Sequence, residues 1–164
     1  MSVQMGSGLE LIQSSGEHLV LVAITMAIAA TLGIPLGVWL HRHPRVGRWL
    51  LGLTGVTQTI PSLALFGFLI PLHVAVGGVL LVGGIGPRTA IAVLVLYALL
   101  PVVRNTVTGL GAVDPRVREA GLAMGLTPSQ LFWKVEFPLA WPVVLAGLRV
   151  ATVSTVGTAT VAAA

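Results

Sequence analysis

The chain has no cysteine, one tyrosine and one lysine, and charged residues fill only 9% of its 164 positions. Each shortage excludes something. Without cysteine there are neither disulfides nor thiolate metal ligands. The single lysine, Lys134, sits between Trp133 and Val135, so there is no Gly-rich run ending in Lys and Ser or Thr to cradle a nucleotide's phosphates. The chain is therefore expected not to be its own ATPase, and any energy from ATP must come from a partner. Of its four histidines, His41 and His43 flank Arg42. That placement fits anchoring at a membrane boundary far better than ligation, so no metal site is expected. Scarce charge also excludes a soluble globular body, since 55% of residues are hydrophobic and the mean hydropathy is +0.98.

What is abundant is uncharged apolar sequence. Runs free of charge extend from Leu19 to Leu40 and from Trp49 to Leu72. At about 1.5 Å rise per residue, either crosses a hydrocarbon core of about 30 Å. Further spans are predicted over 88–108 and 139–164. The uncharged stretch from Val74 to Pro87 carries glycines at 77, 78, 83, 84 and 86 and reads as a flexible or re-entrant external segment. The predicted fold is all-α, one polytopic membrane domain over residues 1–164 with about four transmembrane helices, at 19–40, 49–72, 88–108 and 139–164. No cleavage site follows a short apolar segment at the N-terminus, so a removable signal peptide is not expected.

The net charge of +4 tracks topology rather than nucleic acid. His41, Arg42, His43, Arg45 and Arg48 follow the first span, and Arg104, Arg116, Arg118 and Lys134 follow the third. These are alternate loops, and short basic loops stay in the cytoplasm. Glu10 and Glu17 precede the first span and are expected outside. Trp39, Trp49, Trp133 and Trp141 adjoin the basic loops, as an interfacial belt does. Both markers predict a multi-pass membrane protein with its N-terminus outside, Arg88 being the one base on the outer face. The partner this composition requires is the lipid bilayer; no nucleic acid is expected.

The segment 111–138 stands apart. It is polar and capped, and predicted to be two short helices between apolar runs. Asp114 N-caps the first with Pro115 at its first position, and Gly125 closes it in the left-handed conformation. Thr127 caps the second, with Pro128 at its first position and Gln130 completing a capping box. Pro138 and Pro142 are expected to redirect the chain towards the last span. Val117, Ala120, Gly121 and Met124 are predicted to share one face of the first helix, with Ala120 and Gly121 leaving a shallow surface for another protein.

Glu119-Ala120-Gly121, three residues, Gly125, nine residues, then Val135-Glu136-Phe137-Pro138 resembles the cytoplasmic coupling loop of binding-protein-dependent ATP-binding-cassette importers. That loop runs Glu-Ala-Ala, three residues, Gly, nine residues, Ile-x-Leu-Pro. Gly121, Val135 and Phe137 depart from it by small-for-small and apolar-for-apolar exchanges. Gln58-Thr59-Ile60-Pro61-Ser62-Leu63-Ala64-Leu65, Leu96-Tyr97-Ala98-Leu99-Leu100-Pro101 and Val103-Arg104-Asn105-Thr106 are similar to permease subunits of glycine betaine, carnitine and choline importers. The resemblance covers roughly residues 18 to 164. It implies an inner-membrane permease subunit that imports a quaternary-ammonium osmoprotectant and performs no covalent chemistry. ATP and Mg would be bound by a cytoplasmic ATPase dimer. A second permease subunit, identical or a sister, and an external or periplasmic substrate-binding protein would complete the importer. Glu119, Ala120, Gly121, Gly125 and Pro138 would couple to the ATPase. A quaternary ammonium is usually held in an aromatic cage. Aromatic residues are only 5% here and the tryptophans are interfacial, so selection is expected in the binding protein. Two alternatives remain open: a permease for methionine or another amino acid, and a non-transporting membrane scaffold or sensor.

Candidate pathway residues are Gln58, Thr59, Pro61 and Ser62, where polar groups surround a proline, and Thr152 and Thr155, which form a hydroxyl stripe at helical spacing. For the threonines, close packing of small residues is the competing reading. Pro35 and Pro71 read as ordinary kinks. Arg149, inside the last apolar run, must snorkel to the interface or pair with a helix end or with Glu136. That run reaches Ala164 with no capping signal, whereas related permeases continue into a further helix, so a C-terminally truncated chain is expected.

Overall fold

The computed structural model describes residues 2–57 and 87–162. All regular structure among them is helical: α1 (Ser2–Arg42), α2 (Pro44–Thr57), α3 (Pro87–Gly111), α4 (Pro115–Ala123), α5 (Pro128–Leu131) and α6 (Phe137–Ala162). A π-helical turn, Phe132–Glu136, joins α5 to α6 without a break. Three stretches among the described residues are long and apolar enough to cross a membrane: Ser15–Arg42, Ile91–Gly111 and Pro128–Thr158. The predicted span 49–72 is described only to residue 57, where it is helical as α2; its remainder, the glycine-rich segment 74–86, Gln58, Thr59, Pro61 and Ser62 lie outside the described residues.

The helix α3 is central, with α1 and α6 packed along it and touching each other less extensively. Glycine sets these contacts. Gly33 and Gly37 of α1 lie one turn apart, and a Cβ on either would come within 2.9 Å of Val102 or 2.5 Å of Thr106 on α3. From the other side, a Cβ on Gly147 of α6 would meet Asn105 at 2.5 Å, and one on Gly109 of α3 would meet the Ala140 carbonyl at 2.9 Å. Small residues at this spacing let helix backbones approach closely, where lipid supplies no hydrophobic drive for association. Ala29, Ala98, Val102 and Ala151, one or two from each helix, form the buried centre. Two polar groups inside are satisfied locally: Thr106 Oγ1 donates to the Val102 carbonyl and Asn105 Nδ2 to the Pro101 carbonyl, both at 2.8 Å, whereas the buried Thr25 hydroxyl has no hydrogen-bond partner among the described residues.

Two expectations are corrected. Pro138 and Pro142 do not redirect the chain, because helix continues from Pro128 to Ala162. Pro138 has no N–H to give the Lys134 carbonyl, and its ring would clash there in an α-helical turn. The turn widens instead, with Phe137 N–H bonding to the Phe132 carbonyl five residues back. Pro142, like Pro35 and Pro101, sits inside a helix.

Candidate functional site

Each end of the α4–α5 segment is fixed by the local chemistry of its residues. Asp114 accepts from Arg116 N–H at 2.8 Å and Pro115 opens α4. Gly125 ends it at φ 81°, the only residue with positive φ among those described. The Gly125 N–H bonds to Leu122 O at 2.9 Å and the Leu126 N–H to Gly121 O at 3.2 Å, the paired closure of a Schellman motif. Thr127 and Gln130 make the reciprocal capping box, at 3.0 and 3.3 Å.

Gly121 is buried rather than presented to a partner, which corrects the predicted shared face. A Cβ there would come within 2.5 Å of Leu131 Cδ1, so Gly121 is what allows α4 to lie against α5. The outward surface comprises Glu119, Ala120, Gly125, Leu122 and Met124, the last 75% exposed, and Pro138 is exposed farther along. An exposed methionine and leucine beside an unpaired glutamate suit contact with another protein. An open groove of about 760 Å³ adjoins this surface, lined among others by Val38 and Arg42 of α1, Leu122 of α4, Ser129 of α5 and Phe132 and Glu136 of the π-turn.

Sequence reasoning missed what fastens this segment to the membrane helices. Arg118 Nε lies 2.7 Å from Glu136 Oε1. The N–H is not aimed along that line, so the contact is ionic rather than a directed hydrogen bond. Arg118 Nη2 donates to the Leu110 carbonyl at 2.8 Å and meets His41 Nε2 at 3.4 Å. A guanidinium can only donate, so His41 accepts. Arg42 sits over the Phe132 ring, 5.1 Å from its centroid. The basic residues after α1 and those after α3 therefore meet at one end of the bundle. Because Glu136 pairs with Arg118, it is not the partner of Arg149, which is exposed on α6. One signal was available in the sequence: Glu136 is one of five acids in the chain and stands in an apolar stretch, where it needs a cation.

The threonine stripe divides. Thr155 is buried at 2% exposure with its hydroxyl 3.9 Å from Met26 Sδ of α1, so its side chain packs between helices and does not line an open surface. Thr152 is exposed and donates to the Leu148 carbonyl of its own helix at 2.8 Å. His43 donates to the Trp39 carbonyl and stacks on the Trp39 ring at 4.5 Å.

Three helices long and apolar enough to cross a membrane, closely packed through glycine and carrying a capped two-helix segment at one end, define an all-α polytopic architecture. Residues 14–164 match the family of the binding-protein-dependent transport system inner membrane component. The chain belongs to that family. It is 43% identical over 147 residues to the osmoprotectant import permease protein OsmW of Salmonella typhimurium, an alignment covering 90% of this chain and 66% of that one. It is 36% identical over 156 residues to the choline transport system permease protein OpuBB of Bacillus subtilis, covering 95% and 67%. With the glycine betaine/carnitine/choline transport system permease protein OpuCD of the same organism, identity is 40% over 146 residues, covering 89% and 59%. The chain thus spans about two thirds of the length of these relatives. Its fold is similar to a chain of the inward-facing MetNI methionine ABC transporter, with a TM-score of 0.72 and 25% identity, covering 90% of this chain and 70% of that one.

Proposed function

We propose that the chain is the permease subunit of an ATP-binding-cassette importer and carries a quaternary-ammonium osmoprotectant, glycine betaine, carnitine or choline, across the inner membrane. The observation that carries this reading is the exposed surface of Glu119, Ala120, Leu122 and Met124, held on a capped helix at the basic end of the bundle. Residues 111–138 dock on a cytoplasmic ATPase dimer, which binds ATP and Mg, and Glu119, Ala120, Gly125 and Pro138 are its contact side. Gly121 serves the same contact indirectly, by setting α4 on α5. Closure of the ATPase moves the segment, and different contacts in the two states turn the helices from inward- to outward-facing. A second permease subunit completes the pathway and an external binding protein selects the solute. The basic end is cytoplasmic and the N-terminus lies outside. Gln58, Thr59, Pro61, Ser62 and Thr152 are candidates for the pathway.

The choice of osmoprotectant over methionine follows sequence. The osmoprotectant permeases are 36–43% identical to this chain, against 25% for the methionine transporter of similar fold. The test is ATP-dependent uptake in proteoliposomes that contain the permease, its ATPase and its binding protein. Uptake of labelled glycine betaine, carnitine or choline, competed by one another and not by methionine, is the expected result. Methionine-stimulated hydrolysis with no response to quaternary ammonium compounds would reassign the substrate, and ATPase binding without any uptake would make the chain a scaffold.

A further inference from the structure

We propose that Arg118 is the joint through which movement of the α4–α5 segment reaches the membrane helices, a positioning residue that acts behind the docking surface. This rests on the reading that the segment docks on an ATPase. Adjacent residues of a helix point about 100° apart. Glu119 therefore faces outward and is exposed, while Arg118 turns inward, its side chain 30% exposed. One turn of α4 thus presents a side chain to the partner and another to the body behind.

What Arg118 touches is specific. Leu110 is the penultimate residue of α3, and its carbonyl is among those a helix end leaves without an intrahelical donor. His41 is the penultimate residue of α1. Glu136 closes the π-turn that leads directly into α6. A single guanidinium thereby binds the ends of all three membrane helices that the glycine contacts hold together. Among the described residues no other charged side chain of α4 makes such a link: Asp114 caps α4 itself, and Arg116 and Glu119 are exposed. Arginine suits the position because its planar fork of donors reaches in three directions, which a lysine ammonium on a flexible stem does not reproduce.

The absence of cysteine allows clean placement of reporters. An environment-sensitive bimane label on Ser129→Cys in α5 reports docking, and the same label on Val153→Cys, 75% exposed on α6, reports movement of the body. Both are read in the assembled importer on adding ATP with vanadate. With Arg118→Ala, the Ser129→Cys response is expected to stay within twofold of the parent. The Val153→Cys response is expected to fall at least fivefold and uptake per ATP at least tenfold, with Arg118→Lys restoring less than half. An undiminished Val153→Cys response in Arg118→Ala would overturn the proposal. So would loss of the Ser129→Cys response, because Arg118 would then only shape the docking surface. If Arg118→Ala does not accumulate in membranes, the isosteric Glu136→Gln takes its place: at least a twofold fall at Val153→Cys supports the joint, and no change overturns it. A parent importer in which neither label responds to nucleotide would refute the proposed function itself.

Discussion

At the scale of single residues, the two glycines of the α4–α5 segment act for different reasons, and substitution separates them. Gly125 has open space around it but a left-handed backbone. Gly125→Ala therefore meets no atoms and is expected to cost about 1 kcal/mol through conformation alone. Gly125→Asp is expected to insert normally yet lower uptake at least about tenfold, since the same strain falls beside the proposed docking face. Gly121 is the reverse: its backbone is ordinary, and the nearest obstacle is the tip of Leu131. Gly121→Ala is expected to keep at least half of wild-type uptake as Leu131 yields, whereas Gly121→Val is expected to lose most of it. Glu119→Lys tests the surface itself and is expected to weaken co-purification of the ATPase without changing membrane insertion. Uptake assays beside pull-downs of the ATPase decide each case. The caps at Asp114, Gly125, Thr127 and Gln130 were legible in the sequence because capping depends on neighbours within a few positions. The inward turn of Gly121 was not, because it depends on where Leu131, ten residues on, comes to rest.

At the scale of elements, the helices were visible as apolar runs, but their joins were not. Pro138 and Pro142 read as points where the chain is redirected, since proline past the first turn of a helix removes a hydrogen bond. The chain instead absorbs Pro138 by one wide turn, and Pro142 lies within α6. Pro138→Ala is expected to let that turn relax towards α-helix, raising the melting temperature slightly while turning Glu136 away from Arg118 and reducing uptake. Unchanged uptake with a raised melting temperature would show that the wide turn is incidental. The glycines that hold α1 on α3 lie 33 and 37 in a run that is apolar all round, so periodicity did not single them out. Gly37→Leu drives a side chain into Thr106 and the Val103 carbonyl, and such overpacking costs about 1–3 kcal/mol. A lower melting temperature in detergent is expected from Gly37→Leu and not from Gly52→Leu, where nothing lies within 4 Å.

At the scale of the whole molecule, two sequence markers, basic loops and tryptophans, pointed to one end, and the structure brings those loops into contact through Arg118, His41 and Arg42. If that end is cytoplasmic, Arg45→Cys and Ser129→Cys, both at exposed positions, resist a membrane-impermeant maleimide applied to intact cells, and Ser7→Cys reacts. The opposite pattern would invert the topology and detach the segment from any cytoplasmic ATPase. The network joining the loops was beyond sequence reasoning because its members come from residues 41, 110, 118 and 136, which only the packing of three helices brings together.

The length of α1 has a mechanical consequence. From Arg42, beside the α4–α5 segment, to Ser2 the helix is unbroken, about 60 Å at the usual rise. Because Gly33 and Gly37 hold its lower part against α3, α1 has the form of a long lever arm whose short end lies among Arg118, Arg42 and Phe132. If the α4–α5 segment docks on an ATPase as proposed, a rotation of about 10° centred there would sweep the far tip of that arm through about 10 Å, turning a small displacement at the docked end into a large excursion at the other.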